Sequence, residues 1–184
     1  CRSATCVDTN YPDEREETYN GRAMRFVRSV DSVPQRLILM MDVLEHVEDD
    51  IGFLTQYAQM MEHDATLAIT VPAMQFLWSG HDVFLEHHRR YTRGHLESVV
   101  RAAGLDILES RYFFGLLFPA VVGMRLTDRV CHAMGTKTAA TALKAYPGWL
   151  NGLLIATHDV ERHLLFPFNR LAGLTVFCLA RPRQ

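Results

Sequence analysis

The sequence predicts an α/β layered fold with a mostly parallel sheet, and three observations predict it. Short apolar, β-branched runs recur along the chain, and helical periods alternate with them. One run, "LILMM", is apolar at every position, as in strands covered on both faces. The 184 residues suffice for one domain with a substantial core, and 48% hydrophobic with 22% charged residues is an ordinary globular balance. A formal net charge of -2 excludes a nucleic-acid surface held by bulk charge. Cys1, Cys6, Cys131 and Cys178 show no CxxC pair and no metal-ligand spacing, which reads as reduced thiols in a cytoplasmic protein. The most apolar run, "FFGLLFPAVVGMRL", is broken by Pro119 and Arg125 and falls short of the ~20 residues that span a bilayer.

Taken in order, "SATCVD" (3–8) is a buried strand ending at an acid, and "TNYPDEREETYNG" is a polar loop or weak helix. "RAMRFVRSV" alternates as a second strand, and "RLILMM" is a third, buried on both faces. From Glu48 to Glu62 the period turns helical: Ile51, Leu54, Tyr57, Ala58 and Met61 form a stripe that Phe53 and Met60 widen. Glu48, Asp49 and Asp50 occupy its first turn, where the helix dipole favours negative charge. "ATLAITVP" is a fourth strand, followed by a loop to Tyr91. "TRGHLESVVRAAG" is a helix with Thr92 as N-cap and Gly104 as its stop. "LDILESRYFF" and "GLTVFCLARP" are two more strands, with a helical insert, 117–170, before the last. In that insert Arg125, Asp128, Arg129 and His132 share one face, and Val122, Leu126 and Val130 another.

Ligands of open α/β sheets bind outside the carboxyl ends of the strands. Two apolar strands end there in carboxylates, Asp8 and Asp42, placed to accept hydrogen bonds from ribose hydroxyls or to face a cationic group. "VDTNY", "DVLEHVEDD" and "TVPAMQFLWSGHDVFLEHHRRYT" together resemble successive landmarks of class I S-adenosylmethionine-dependent methyltransferases, closest to the broad group with a "DVLEH" motif after the fourth strand. The resemblance covers nearly the whole chain, about 3–180. It implies a Rossmann-like methyltransferase fold: a mostly parallel sheet, an antiparallel last strand and a helical insert before it. It further implies S-adenosylmethionine as cofactor, with Asp8 on the ribose, Ser29 and Val30 (after Arg28) beside adenine, and Asp42, Val43, Leu44, Glu45 and His46 along the methionine side. The family's first strand and glycine-rich loop should precede Cys1, and no GxGxG-like turn occurs in the sequence. The resemblance therefore implies a single but N-terminally truncated domain over 1–184, whose 184 residues alone bind the cofactor weakly.

The segment "WSGHDVFLEHHRRYT" gathers Trp78, His81, Asp82, His87, His88, Arg89, Arg90 and Tyr91. One reading is an active-site cover, with His81 or His87 as general base and Trp78, Asp82, Arg89, Arg90 and Tyr91 on the acceptor. The alternative is that the arginines and Tyr91 tie the loop to the sheet, pairing with Glu45 or Asp42. His81, Asp82, His87 and His88, with Glu45 and His46, also offer metal-ligand types. Their spacing matches no tight helical ligand pair, so the preferred reading has no metal.

The apolar residues of the insert suit a lipid-like acceptor or a membrane surface, or else a helical lid or dimer contact. The expected function is methyl transfer from S-adenosylmethionine to a small-molecule acceptor, with no nucleic-acid partner. Two alternatives stand beside it: a non-catalytic binding protein of the same fold, and a metal-dependent hydrolase.

Overall fold

A computed structural model describes residues 3–133 and 147–183, the side chains of 128–133 excepted. The insert pattern expected at Asp128, Arg129, Val130 and His132, and the thiols of Cys1 and Cys131, lie outside the described residues. The chain divides into two compact units, Cys1–Pro34 and Gln35–Gln184.

The first unit is a three-stranded sheet in the order β1-β3-β2, formed by β1 (Ser3–Val7), β2 (Arg15–Tyr19) and β3 (Arg22–Val27). β1 runs parallel to β3, with Ser3 opposite Ala23 and Val7 opposite Val27. β2 returns antiparallel, with Tyr19 opposite Arg22. This corrects the expectation of a loop or weak helix before Gly21. β2 is almost wholly polar and exposed, so no apolar period marks it. Its signal is the turn: Asn20 and Gly21 take φ of 50° and 73°, the paired positive values of the two-residue hairpin that Asn-Gly favours.

The second unit carries a four-stranded sheet in the order β4-β5-β7-β6, from β4 (Leu37–Met41), β5 (Thr66–Pro72), β6 (Leu105–Phe113) and β7 (Thr175–Pro182). β4 and β5 pair in parallel, and β7 is antiparallel to both β5 and β6. Both sheets of the protein are thus mixed.

Helices α1 (Asp50–Met60) and α3 (Arg93–Ala102) touch each other and β7, and α3 also packs on β6. Leu96, Val99 and Val100 form the buried stripe of α3, each worth roughly 1.5–3 kcal/mol of apolar burial. Thr92 caps α3 by accepting from His95 N–H at 3.2 Å, and Gly104 ends it at φ 81°. β5 is buried through Leu67, Ala68, Ile69 and Val71.

β4 departs from its expected burial on both faces. Met40 is buried, but Leu37 and Leu39 are 57% and 59% exposed. β4 is an edge strand, hydrogen-bonded in its sheet to β5 alone. Leu37, Leu39 and Met41 share its exposed face.

The insert comprises α4 (Phe118–Ala133) and α5 (Gly148–Leu164). Glu161 on α5 is fully buried and accepts the backbone N–H groups of Gly115 (2.5 Å) and Leu116 (3.2 Å), which ties α5 to the chain leaving β6. Beside it, Gly173 lies so close to β6 that a Cβ there would stand 2.3 Å from the Phe113 carbonyl oxygen. No helix among the described residues is long and apolar enough to cross a membrane.

Candidate active site at the carboxyl end of β4

Past Met41, Asp42 extends the ladder by one bond, its N–H donating to the Thr70 carbonyl at 3.0 Å. It then takes φ 53°, a left-handed conformation that aspartate tolerates better than most residues, and the chain turns off the sheet. Thr70 Oγ1 lies 3.3 Å from the exposed Asp42 carboxylate and donates to it. A 3-10 turn, Leu44–His46, follows. It drives Leu44 and Glu45 into the protein, 0% and 1% exposed, and leaves His46 outside.

The opposite wall is the segment 73–91, held at both ends. Tyr91 N–H donates to the Pro72 carbonyl at 2.9 Å and Met74 N–H to the Tyr91 carbonyl at 2.8 Å, so the segment closes on itself beside β5. Within it, α2 (Gly80–Phe84) starts from a capping box in which Ser79 and Asp82 satisfy each other's backbone. Asp82 is completely buried and is the hub of the wall. Arg90 Nε and its terminal nitrogen donate to the two carboxylate oxygens at 2.7 and 3.0 Å, and His87 Nδ1 lies 3.1 Å from Oδ1. Burial pushes the Asp82 carboxyl upward, but the paired bonds from Arg90, with those from Ser79 and His87, outweigh it and hold it below the usual carboxylate range. A carboxylate can only accept, so His87 Nδ1 carries the proton and, in the neutral ring, Nε2 keeps its lone pair free.

The His46 and His87 rings meet edge to face, with centroids 4.7 Å apart at 83°. Partial burial, and then His87 itself, lowers the His46 pKa, with the Leu85 carbonyl acting the other way. Glu45 completes the group. Its two carboxylate oxygens are buried with no hydrogen-bond partner among the described residues. Burial first, then the charge of Asp42, raises its pKa to about 7 against the pull of its own backbone and Arg90. One donor atom each from Glu45, His46 and His87 lie within 4.8 Å of one another.

The structure gathers only some of the residues that the sequence singles out. Glu45, His46 and His87 converge, with Asp42 exposed at the strand end. His81 sits on α2 outside that group, its Nδ1 buried without a hydrogen-bond partner. Trp78 is half-buried just before the capping box. Arg89, Arg90 and Tyr91 tie the loop down, but to aspartates other than Asp42. Arg90 binds Asp82, while Arg89 and the Tyr91 hydroxyl both donate to Asp50, at 2.9 and 2.7 Å. Tyr91 is fully buried, and its hydroxyl, desolvated and hydrogen-bonded to Asp50, has its pKa raised. Asp50, read in the sequence as part of the helix start, is therefore also a buried anchor for this loop. The Ser79-x-x-Asp82 spacing was the legible signal for the hub. Nothing local marks Asp50 as the partner of residues about 40 positions away.

Asp8, Ser29 and Val30 belong to the first unit. Asp8 follows β1 with its carboxylate exposed, accepting the Asn10 N–H at 2.9 Å. Arg28 donates Nε to the Tyr11 carbonyl at 2.7 Å and a terminal nitrogen to the Pro12 carbonyl, closing the loop that Asp8 begins. Ser29 is exposed and Val30 half-buried.

No family model matches the chain, and no curated protein matches it in sequence. Among solved structures the chain is similar to a proposed methyltransferase complexed with the Trm112 methyltransferase activator of Haloferax volcanii, at 14% identity and a TM-score of 0.49 over 91% of this chain and 64% of that one. It is similar to phosphoethanolamine N-methyltransferase 2 of Haemonchus contortus, solved with phosphomonomethylethanolamine and S-adenosylhomocysteine, at 14% identity and a TM-score of 0.46 over 88% of this chain and 38% of that one. A third likeness is to an S-adenosylmethionine-dependent methyltransferase of Archaeoglobus fulgidus, at 12% identity and a TM-score of 0.47 over 98% and 86% of the two chains. The chain thus spans less than two thirds of the first two of these structures. Likeness at this level leaves the chemistry to be argued from the chain's own residues.

Proposed function

We propose that this chain belongs to an enzyme that transfers a methyl group from S-adenosylmethionine to a small-molecule acceptor. The observation that carries the reading is the end of β4. There the exposed Asp42 carboxylate, held by Thr70, stands at the head of a turn whose Glu45 and His46 meet an imidazole, His87, oriented by a buried aspartate. The "DVLEH" resemblance supports it. The site fits the cofactor by charge, since the exposed Asp42 carboxylate favours a cationic sulfonium. When bound, S-adenosylmethionine supplies an electrophilic methyl group on that sulfonium.

The chain's own residues position and deprotonate. The resemblance assigns the ribose hydroxyls to Asp8 and the base to Ser29 and Val30, all within the first unit. Asp42 to His46 line the methionine side. His87 Nε2, its tautomer set by Asp82, takes the proton that an oxygen or nitrogen acceptor must lose; His81 is the second candidate for that role. Asp82, Arg89, Arg90 and Tyr91 keep the loop in register, leaving Trp78 to touch the acceptor.

Calorimetric titration of the natural gene product with S-adenosylmethionine and S-adenosylhomocysteine tests the reading. Binding is expected, weakened about tenfold by Asp42→Ala, the loss of one charge-assisted hydrogen bond. A natural gene product that binds neither compound sinks the proposal.

A further inference from the structure

We propose that Glu45, His46 and His87 form a binding site for a divalent transition-metal ion of the zinc class. Three observations converge on it, none of which needs the methyl-transfer reading. The first is the donor set, one carboxylate and two imidazoles within 4.8 Å of one another. Two histidines with one carboxylate suit zinc, or ferrous iron, and leave coordination positions open for water or an added ligand.

The second is the state of Glu45. Its carboxylate is 1% exposed, and neither oxygen has a hydrogen-bond partner among the described residues. Buried polar groups are nearly always satisfied, so an orphaned carboxylate calls for an explanation. A cation supplies one, because it neutralises the charge and occupies the lone pairs that the fold leaves empty. Arg90, in the same wall, is already spent on both oxygens of Asp82.

The third is the outer shell. Imidazoles that bind metal hand their other ring N–H to a carboxylate or carbonyl, which fixes the tautomer. His87 does this with Asp82 at 3.1 Å, and Asp82 is itself immobilised by Arg90 and Ser79. The present spacing is open for a bound ion. Tetrahedral bonds of about 2.1 Å set donors roughly 3.4 Å apart, so closing requires small side-chain rotations, which exposed His46 can make. With an ion in place His87 Nε2 is a ligand and not a free base, so the metal site and the proton-accepting role of His87 exclude each other at any one moment.

The test uses chelator-treated, tag-free protein without S-adenosylmethionine, so its outcome is independent of cofactor binding. Zn²⁺ is titrated by calorimetry, and Co²⁺ by its visible absorption. One equivalent of each is expected, with a cobalt spectrum of nitrogen and oxygen ligation. Glu45→Gln and His46→Ala should each weaken binding tenfold or more, since loss of mere outer-shell partners already costs about 10–100-fold. His63→Ala, on an exposed residue elsewhere, should leave it unchanged. His46 is exposed, so its variant reports even if Glu45→Gln disturbs the core. Absence of stoichiometric binding, or binding that both site variants retain, overturns the proposal.

Discussion

Asp82 is the residue on which the loop wall depends. It accepts from Arg90 through both oxygens and from Ser79, and it orients His87, all at 0% exposure. Asp82→Ala leaves the Arg90 guanidinium largely buried without its partner, and breaking such a pair costs about 3–5 kcal/mol. Urea unfolding measures this loss, which should exceed that of Tyr91→Phe. The latter removes one buried hydroxyl from Asp50 and should cost about 1–3 kcal/mol. Glu45 behaves in the opposite sense. As a buried carboxylate with no hydrogen-bond partner among the described residues it destabilises the ion-free protein, so Glu45→Gln should raise the unfolding midpoint at pH 8 while weakening metal binding. Cys178 is chemically quiet: burial pushes its thiol up to about 12, with Glu97 adding to the shift. Peptide-resolved alkylation at pH 8 should modify Cys178 only after unfolding.

At the scale of elements, legibility followed how local the signal is. α3 carries its cap, its stripe and its stop within 13 residues, Thr92 to Gly104, and was readable almost to the residue. β5, β6 and β7 are apolar runs between turn residues and were as plain. β2 escaped because an exposed strand paired on one side buries nothing that periodicity could report. Asn20-Gly21 was the available mark. Replacing Gly21 with Val puts a β-branched side chain at φ 73° and should cost the hairpin roughly 1–2 kcal/mol. Hydrogen exchange of the β2 amides reads that loss while the second unit's amides keep their protection. β4 misled for the converse reason, since composition alone cannot tell a strand buried on both faces from one with an apolar face exposed. Leu39→Lys on that face should leave stability within about 0.5 kcal/mol and reduce self-association, as light scattering at rising concentration would show.

At the scale of the whole molecule, the second unit holds together contacts between distant parts of the sequence. Arg89 and Tyr91 reach Asp50, and Glu161 reaches back to the chain that leaves β6. Glu161→Ala should free the N–H groups of Gly115 and Leu116, cost about 1.5–3 kcal/mol and speed exchange in α5 before the sheet is affected. The candidate site is divided in the same way. Asp42, Glu45, His46 and His87 were all legible as residue types at a strand end or in a charged loop. Which histidine would meet the Glu45–His46 turn was not legible, because His81 and His87 differ only in how α2 and its capping box direct them. The amino-acid sequence by itself determined the strands and helices whose apolar periods are local, and the two acids that end strands. Only the tertiary structure decided that β4 is an edge of its sheet, that Asp50 and Asp82 are the anchors, and that Glu45 is buried beside two imidazoles with no hydrogen-bond partner among the described residues. Burial and pairing are properties of neighbours that the chain brings together from far apart, and a one-dimensional pattern carries no record of them.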